Sequence, residues 1–138
     1  MDYRKEYEKW LASPALSEDE RAELRALEGN DKEIKARFYG PLEFGTAGLR
    51  GTMYTGLHNM NRHVIRWATQ GFANVIRAEG TEAMQKGVAV CMDCRNHSAE
   101  FARETACVMA ANGIHVRLFE SLRPTPELSF AVREYGCQ

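Results

Sequence analysis

Apolar residues along the first forty positions recur at helical intervals. Tyr3, Tyr7, Trp10 and Leu11 stand at i, i+4, i+7 and i+8, one stripe of an amphipathic helix. Ser17-Glu18-Asp19-Glu20 is a capping box, in which the Ser17 hydroxyl and the Glu20 carboxylate each satisfy an amide left orphaned by the first helical turn. Leu24 and Leu27 carry that second helix toward Gly29, and Ile34 and Phe38 mark a third before Gly40-Pro41. From residue 61 to 79, Val64, Ile65, Ala68, Phe72, Val75 and Ile76 line an apolar helical face that ends at Gly80. Then the rhythm changes. Val88-Ala89-Val90-Cys91 is a short apolar run of the kind buried in a parallel sheet. Ser98 can cap a helix bearing Phe101, Thr105, Val108 and Met109 on one face, closed by Asn112-Gly113. Ile114, Val116 and Leu118 alternate as a strand running to Phe119, and after Pro124-Thr125-Pro126 residues 127–135 suit another helix.

Strand, helix, strand, helix with short links predicts an α/β sandwich. Residues 41–138 read as that α/β domain, and residues 1–40 as an N-terminal helical arm packed on it. An alternating pattern normally continues from a helix into a strand. The last helix here runs to Tyr135-Gly136-Cys137-Gln138, so the domain is expected to lack its final strand.

Composition narrows the function classes. A chain of 138 residues, 44% apolar and 27% charged, suits one soluble globular domain and excludes collagen, a disordered tail and a disulfide-stapled miniprotein. The formal charge of −1 gives neither the basic stripe of a nucleic-acid binder nor a polybasic membrane anchor. No run approaches the roughly 18–20 apolar residues of a membrane span, and the opening MDYRKEYEKW lacks the apolar stretch of a secretory signal. The expectation is a cytoplasmic protein with reduced thiols, no nucleic-acid partner and no membrane partner. Charge is uneven: residues 1–40 carry 18 charged side chains and residues 41–138 carry 19. Tyr3, Tyr7 and Trp10 argue that so charged an arm is packed and not freely solvated.

The candidate chemistry begins at Leu42-Glu43-Phe44-Gly45-Thr46-Ala47-Gly48-Leu49-Arg50-Gly51-Thr52. Three glycines at three-residue spacing free the backbone to turn amides toward one point, an anion-binding nest. Arg50 adds a planar donor fork matched to phosphate oxygens. The other reading is a glycine-rich hairpin whose Arg50 is merely solvated. A second polar cluster, Asp93, Arg95, Asn96, His97 and Ser98, follows the strand at 88–91, and Ser121-Leu122-Arg123-Pro124-Thr125-Pro126 follows the next strand. Ligands of open α/β sheets sit outside the carboxyl ends of strands. If the glycine loop folds to the same edge, Arg50, Arg95 and Arg123 would gather there; otherwise Asp93 and Arg95 pair with each other or cap the next helix. Cys91-Met92-Asp93-Cys94 is a CxxC, but no second CxxC exists to complete a zinc site and the cysteines suit small buried hydrophobes. No metal site is expected. His58 and His63 read as surface or loop groups and His115 as a strand residue.

With those loops in view, the chain resembles the first domain of the α-D-phosphohexomutases, and within them the phosphoglucomutase/phosphopentomutase branch. The resemblance lies loosely in Trp10–Leu27, then in LEFGTAGLRG at 42–51, MDCRNHSAEFA at 92–102 and LRPTPELSFAVREYG at 122–136. It implies a layered α/β/α domain with a mixed, mostly parallel sheet. The whole enzyme would interconvert sugar 1-phosphate and sugar 6-phosphate, or pentose 1- and 5-phosphate, in carbohydrate metabolism. A phosphorylated serine would donate the group and form a bisphosphorylated sugar. The resemblance also implies Mg²⁺ and a sugar bisphosphate activator for that enzyme, with neither cofactor expected on these 138 residues. Arg50 corresponds to the active-site arginine, and Thr46, Gly48 and Arg50 to phosphate- or substrate-binding positions. Asp93, Arg95, Ser98 and Arg123 correspond to residues supporting the active-site edge. The sequence departs from the family at His58 and Asn59, where G-x-N-R-M-N is common, at Met92 and Cys94 in place of the tyrosine and serine of YDSR, and at Ala99. The serine loop, metal loop and sugar-reading loops are not among these residues, so the chain is expected to be inactive alone and to meet the other domains of a mutase as partners. An unpaired sheet edge further predicts self-association, as a dimer. The competing readings are a standalone sugar-phosphate-binding or regulatory module, and a thiol or zinc protein.

Overall fold

Three amphipathic helices, α1 (Tyr3–Leu11), α2 (Glu18–Arg25) and α3 (Asp31–Phe38), form where the apolar spacing predicts them, although α2 stops at Arg25 and leaves Leu27 in the turn that leads to Gly29. The computed structural model describes residues 1–46 and 48–138. Asp2, Ser17 and Asn30 accept from backbone amides at the three helix starts, and the Ser17–Glu20 capping box is complete. The helices bury Leu16, Leu24, Leu27, Ile34 and Phe38 in one core, with Tyr3, Tyr7, Trp10 and Leu11 packed against it. Phe38 is fully enclosed and meets both Tyr7 and Trp10 edge-on at 5.7 Å, the geometry that opposed ring quadrupoles prefer.

Leu57, from beyond the arm, joins the same core. The chain falls into two compact units, Met1–Val64 and Ile65–Gln138. In the first, residues 53–60 are held on the helices by a buried polar staple. Arg37, enclosed on α3, binds Glu33 and Glu23, while the Glu23 carboxylate also accepts from the backbone and hydroxyl of Thr55. Gly56 lies so close that a Cβ there would stand 2.9 Å from the Arg37 Cβ. Between Phe38 and these residues runs a short antiparallel hairpin, β1 (Phe44–Gly45) and β2 (Gly48–Leu49).

Helix α4 (Arg62–Ala78) starts at Asn61, whose side chain accepts from the amides of His63 and Val64. In the second unit a short helix α5 (Thr81–Lys86), which the pattern did not reveal, leads into β3 (Val88–Val90). Helix α6 (Ser98–Ala111), strand β4 (Val116–Leu118) and helix α7 (Thr125–Glu134) follow. Strands β3 and β4 pair in parallel, Val88 with Val116, Ala89 with Arg117 and Val90 with Leu118. Their core is Ala73, Ile76, Ala83, Val88, Met109 and Ile114. This is a mixture of helices and small sheets within the α/β class.

Several boundaries differ from expectation for local reasons. Ser98 is the first helical residue and not the cap of α6; His97 holds that position at φ 61°, and the Ser98 hydroxyl turns back to accept from the Asp93 amide. Ile114 and His115 precede β4, although the His115 carbonyl already accepts from Val88. Helix α7 begins at Thr125 because Pro126 needs no amide partner in the first turn.

Candidate functional site

The glycine-rich segment takes the hairpin form. Phe44 faces Leu49 and Gly45 faces Gly48, with Gly48 at φ +97°, a conformation that L side chains rarely adopt. Thr46 is exposed beside the turn, and Arg50 is exposed just after β2. The Arg50 guanidinium folds back along the hairpin: its Nη2 would lie 3.8 Å from a Cβ on Gly45. Among the described residues, no hydrogen bond or ion pair engages that guanidinium. An open fork of donors beside Gly45, where no side chain intervenes, is a surface to which a phosphoryl oxygen can come close.

The stems of the hairpin are fixed from below by residues 57–60. The Leu42 amide donates to the Leu57 carbonyl at 3.2 Å, the Met60 amide to the Thr52 carbonyl at 2.9 Å, and the Asn59 side-chain amide to the Thr52 hydroxyl at 3.2 Å. Gly51 sits where a Cβ would press to 3.2 Å from the Leu42 side chain.

In the second unit the loops that follow β3 and β4 lie side by side. The Phe119 amide donates to Val90 at 3.0 Å and the Arg123 amide to the Met92 carbonyl at 2.9 Å. Here Asp93, Arg95 and Ser98 do come together, as an internal knot. The Asp93 carboxylate accepts from the Arg95 backbone at 3.1 Å and from its Nε at 2.8 Å. The Arg95 amide foremost, with Ser98 and the Arg95 charge adding to it, holds the Asp93 carboxyl below the usual carboxylate range. Arg123 pairs with Glu127 at 2.8 Å. The pairing alternative for Asp93 and Arg95 is therefore the geometry found, and Arg95 and Arg123 both hold carboxylates of their own unit.

Sequence reasoning passed over His63. It is no surface group: its side chain is only 15% exposed, and its Nε2 meets the Glu20 Oε1 at 3.1 Å while Arg62 binds the same carboxylate. Burial pushes Glu20 up, but the Ser17 amide, Arg62 and His63 outweigh it and lower the carboxyl to about 2. The capping box was visible in the sequence, yet nothing in it announced that a helix 42 residues on would share its glutamate. His58 is likewise half-buried beneath the hairpin.

The four cysteines are free thiols. Burial, with Asp93 nearby, raises the Cys91 thiol, which disfavours the thiolate that redox exchange or metal binding requires. Among the described residues no three His, Cys, Asp or Glu side chains gather as they would for a metal ion, and no helix is long and apolar enough to cross a membrane.

Residues 41–138 match the family model of the phosphoglucomutase/phosphomannomutase alpha/beta/alpha domain I. Similar proteins include a phosphopentomutase of Pongo abelii, 39% identical over 111 residues that cover 76% of this chain and 18% of that protein. A phosphoglucomutase of Staphylococcus saprophyticus is 38% identical over 103 residues, covering 75% of this chain and 18% of its own length. A phosphomannomutase of Mycoplasma pneumoniae is 30% identical over 132 residues, covering 94% of this chain and 24% of its own. The chain spans about a fifth of the length of the curated relatives it matches. No solved structure matches it significantly.

Proposed function

The chain belongs to the phosphoglucomutase/phosphomannomutase family, whose domain I it matches over residues 41–138, and we propose that it supplies the phosphoryl-gripping loop of a sugar-phosphate mutase. The observation that carries this reading is Arg50, exposed and unengaged among the described residues, laid along a glycine hairpin within the matched segment. In this reading Arg50 donates its planar fork to the oxygens of the group in transit, and Thr46 and Gly48 border the same anion at the turn. Asp93, Arg95, Ser98 and Arg123 stiffen the loops at the carboxyl ends of β3 and β4, in the role of residues that support an active-site edge of a layered α/β/α domain.

The whole protein, in this reading, interconverts sugar 1- and 6-phosphates, or pentose 1- and 5-phosphates, in the cytoplasm. A phosphoserine passes its phosphoryl group to the free terminal hydroxyl of the sugar, giving a bisphosphate. The bisphosphate then returns its other phosphoryl group to the serine, so each transfer forms one P–O bond and breaks one. Such transfer runs on positioning and on cations around the spreading charge. One arginine supplies a part of that stabilisation, and the 138 residues alone are expected to show no turnover in a coupled assay of glucose 6-phosphate formation. The magnesium of the family reading finds no donor set among the described residues.

Among the described residues no second strand pairs with β3 on the side away from β4. Two copies of the chain are expected to meet there, and the same edge suits the remaining domains of a mutase as partners. The direct test is a titration of the chain with glucose 1-phosphate, followed by backbone NMR. Shifts centred on Gly45, Thr46, Gly48 and Arg50, lost in Arg50→Ala, are the expected result. No shift in that segment at millimolar ligand would overturn the reading.

A further inference from the structure

The hairpin that carries Arg50 has two stems, and one segment holds both. Leu57–Met60 grips the outgoing stem through Thr52, and the incoming stem through Leu42 and the side chain of His58. Its Nδ1 lies 3.2 Å from the Gly40 carbonyl and 3.1 Å from that of Pro41. Carbonyl oxygens only accept, so Nδ1 carries a proton. The other ring nitrogen, Nε2, lies 2.5 Å from the Tyr39 hydroxyl, which donates to it when the ring is neutral. The two rings also touch, with centroids 4.1 Å apart. The His58 backbone is itself pinned to the Arg37 carbonyl at the end of α3, at 2.9 Å.

Each group in this series of contacts has a stated partner, and the series ends at the root of the glycine hairpin. A two-residue-per-strand hairpin has little rigidity of its own, because so short a ladder orders few residues. Where it points is therefore decided at its stems. From this geometry we infer that His58 is a positioning residue: the Nδ1–H tautomer, held by Tyr39, fixes the Gly40–Pro41 root and thereby the place of Arg50. The inference rests on the phosphate-gripping reading for its functional consequence, but the mechanical part stands on the hydrogen bonds alone. It also gives a use to the stretch at 56–61, where the sequence departs from the common family motif.

The experiment compares the full chain with His58→Leu, which has no donor, and His58→Asn, whose side-chain amide can stand where Nδ1 stands. Three readouts are taken: the ¹⁵N shifts of the imidazole, amide hydrogen exchange across residues 44–50, and affinity for glucose 1-phosphate. The Nδ1–H tautomer is expected in the parent chain. His58→Leu should speed exchange through the hairpin and weaken glucose 1-phosphate about tenfold, the effect of losing roughly one well-placed hydrogen bond. His58→Asn should restore both. Unchanged exchange in His58→Leu, or an Nε2–H tautomer, would overturn the inference. If the parent chain takes up no glucose 1-phosphate, the mutase reading fails while exchange still decides the clamp. Should His58→Leu fail to fold, the tautomer and the Asn variant decide it.

Discussion

Glu20 shows how one side chain can serve two distant parts of the sequence. It closes the Ser17 capping box and also receives Arg62 and His63, and the sum lowers its carboxyl from 4.5 to about 2. A carboxyl whose folded pKa is depressed adds stability that is complete above the ordinary value and lost as pH falls through the folded one. Urea midpoints of the parent chain and Glu20→Gln should therefore differ most above pH 5 and converge as pH falls toward 2; a gap that widens in acid would contradict this. Gly87 is constrained more severely. At φ +68° a Cβ there would stand 2.0 Å from the His115 carbonyl oxygen, the acceptor of the first β3 to β4 bond. Gly87→Ala should cost more than about 3 kcal/mol, as strain and a backbone clash combine. Equilibrium unfolding measures it, and a loss under about 1 kcal/mol would show that the strand start yields easily. Arg50 is the opposite case. Its exposed side chain has no partner among the described residues, so Arg50→Ala should leave the melting temperature unmoved.

Elements with strong periodicity were legible in the sequence alone. The stripe Tyr3–Leu11 became a helix because it had an apolar face to pack and Asp2 to cap it. Val64–Ile76 became one too, starting from Asn61, but only part of its expected apolar face is buried: Val64 and Ile76 are enclosed, as is Ala73, while Phe72 and Val75 stay exposed. Helix α5 was not legible, since six residues between glycines give less than two turns over which a period could show. The start of α6 was misplaced for a different reason. A serine before an apolar run is the common cap, but here Asp93 claims the hydroxyl of Ser98, and His97 takes the left-handed cap position instead. Ser98→Ala should thus act on the loop at 92–97 more than on the helix, costing about 1 kcal/mol and speeding amide exchange at Asp93. Exchange that quickens only along Glu100–Ala111 would point to ordinary capping. As to the candidate site, the residues were readable and their engagement was not. The sequence alone could not show that Arg95 spends its charge on Asp93 and Arg123 on Glu127 while Arg50 keeps its donors open, because ion pairing depends on side-chain geometry that spacing does not fix.

At the scale of the whole molecule, the parallel pair β3 and β4 leaves an edge open. Val88 and Val90 turn their backbone groups toward β4, so Ala89 turns its own the other way, where Gln138 donates to Gly87 at 2.9 Å and no strand among the described residues pairs. Such an edge is a template for another chain. Sedimentation velocity should show a concentration-dependent dimer, and a monomer at high concentration would count against edge pairing. The proposed function turns on an anion meeting a guanidinium, and a crystal structure with glucose 1-phosphate bound tests it most directly. The expected result is a phosphoryl oxygen about 2.7–2.9 Å from the Arg50 guanidinium, resting over Gly45 and Gly48. A sugar phosphate bound elsewhere, with Arg50 turned to solvent, would contradict it.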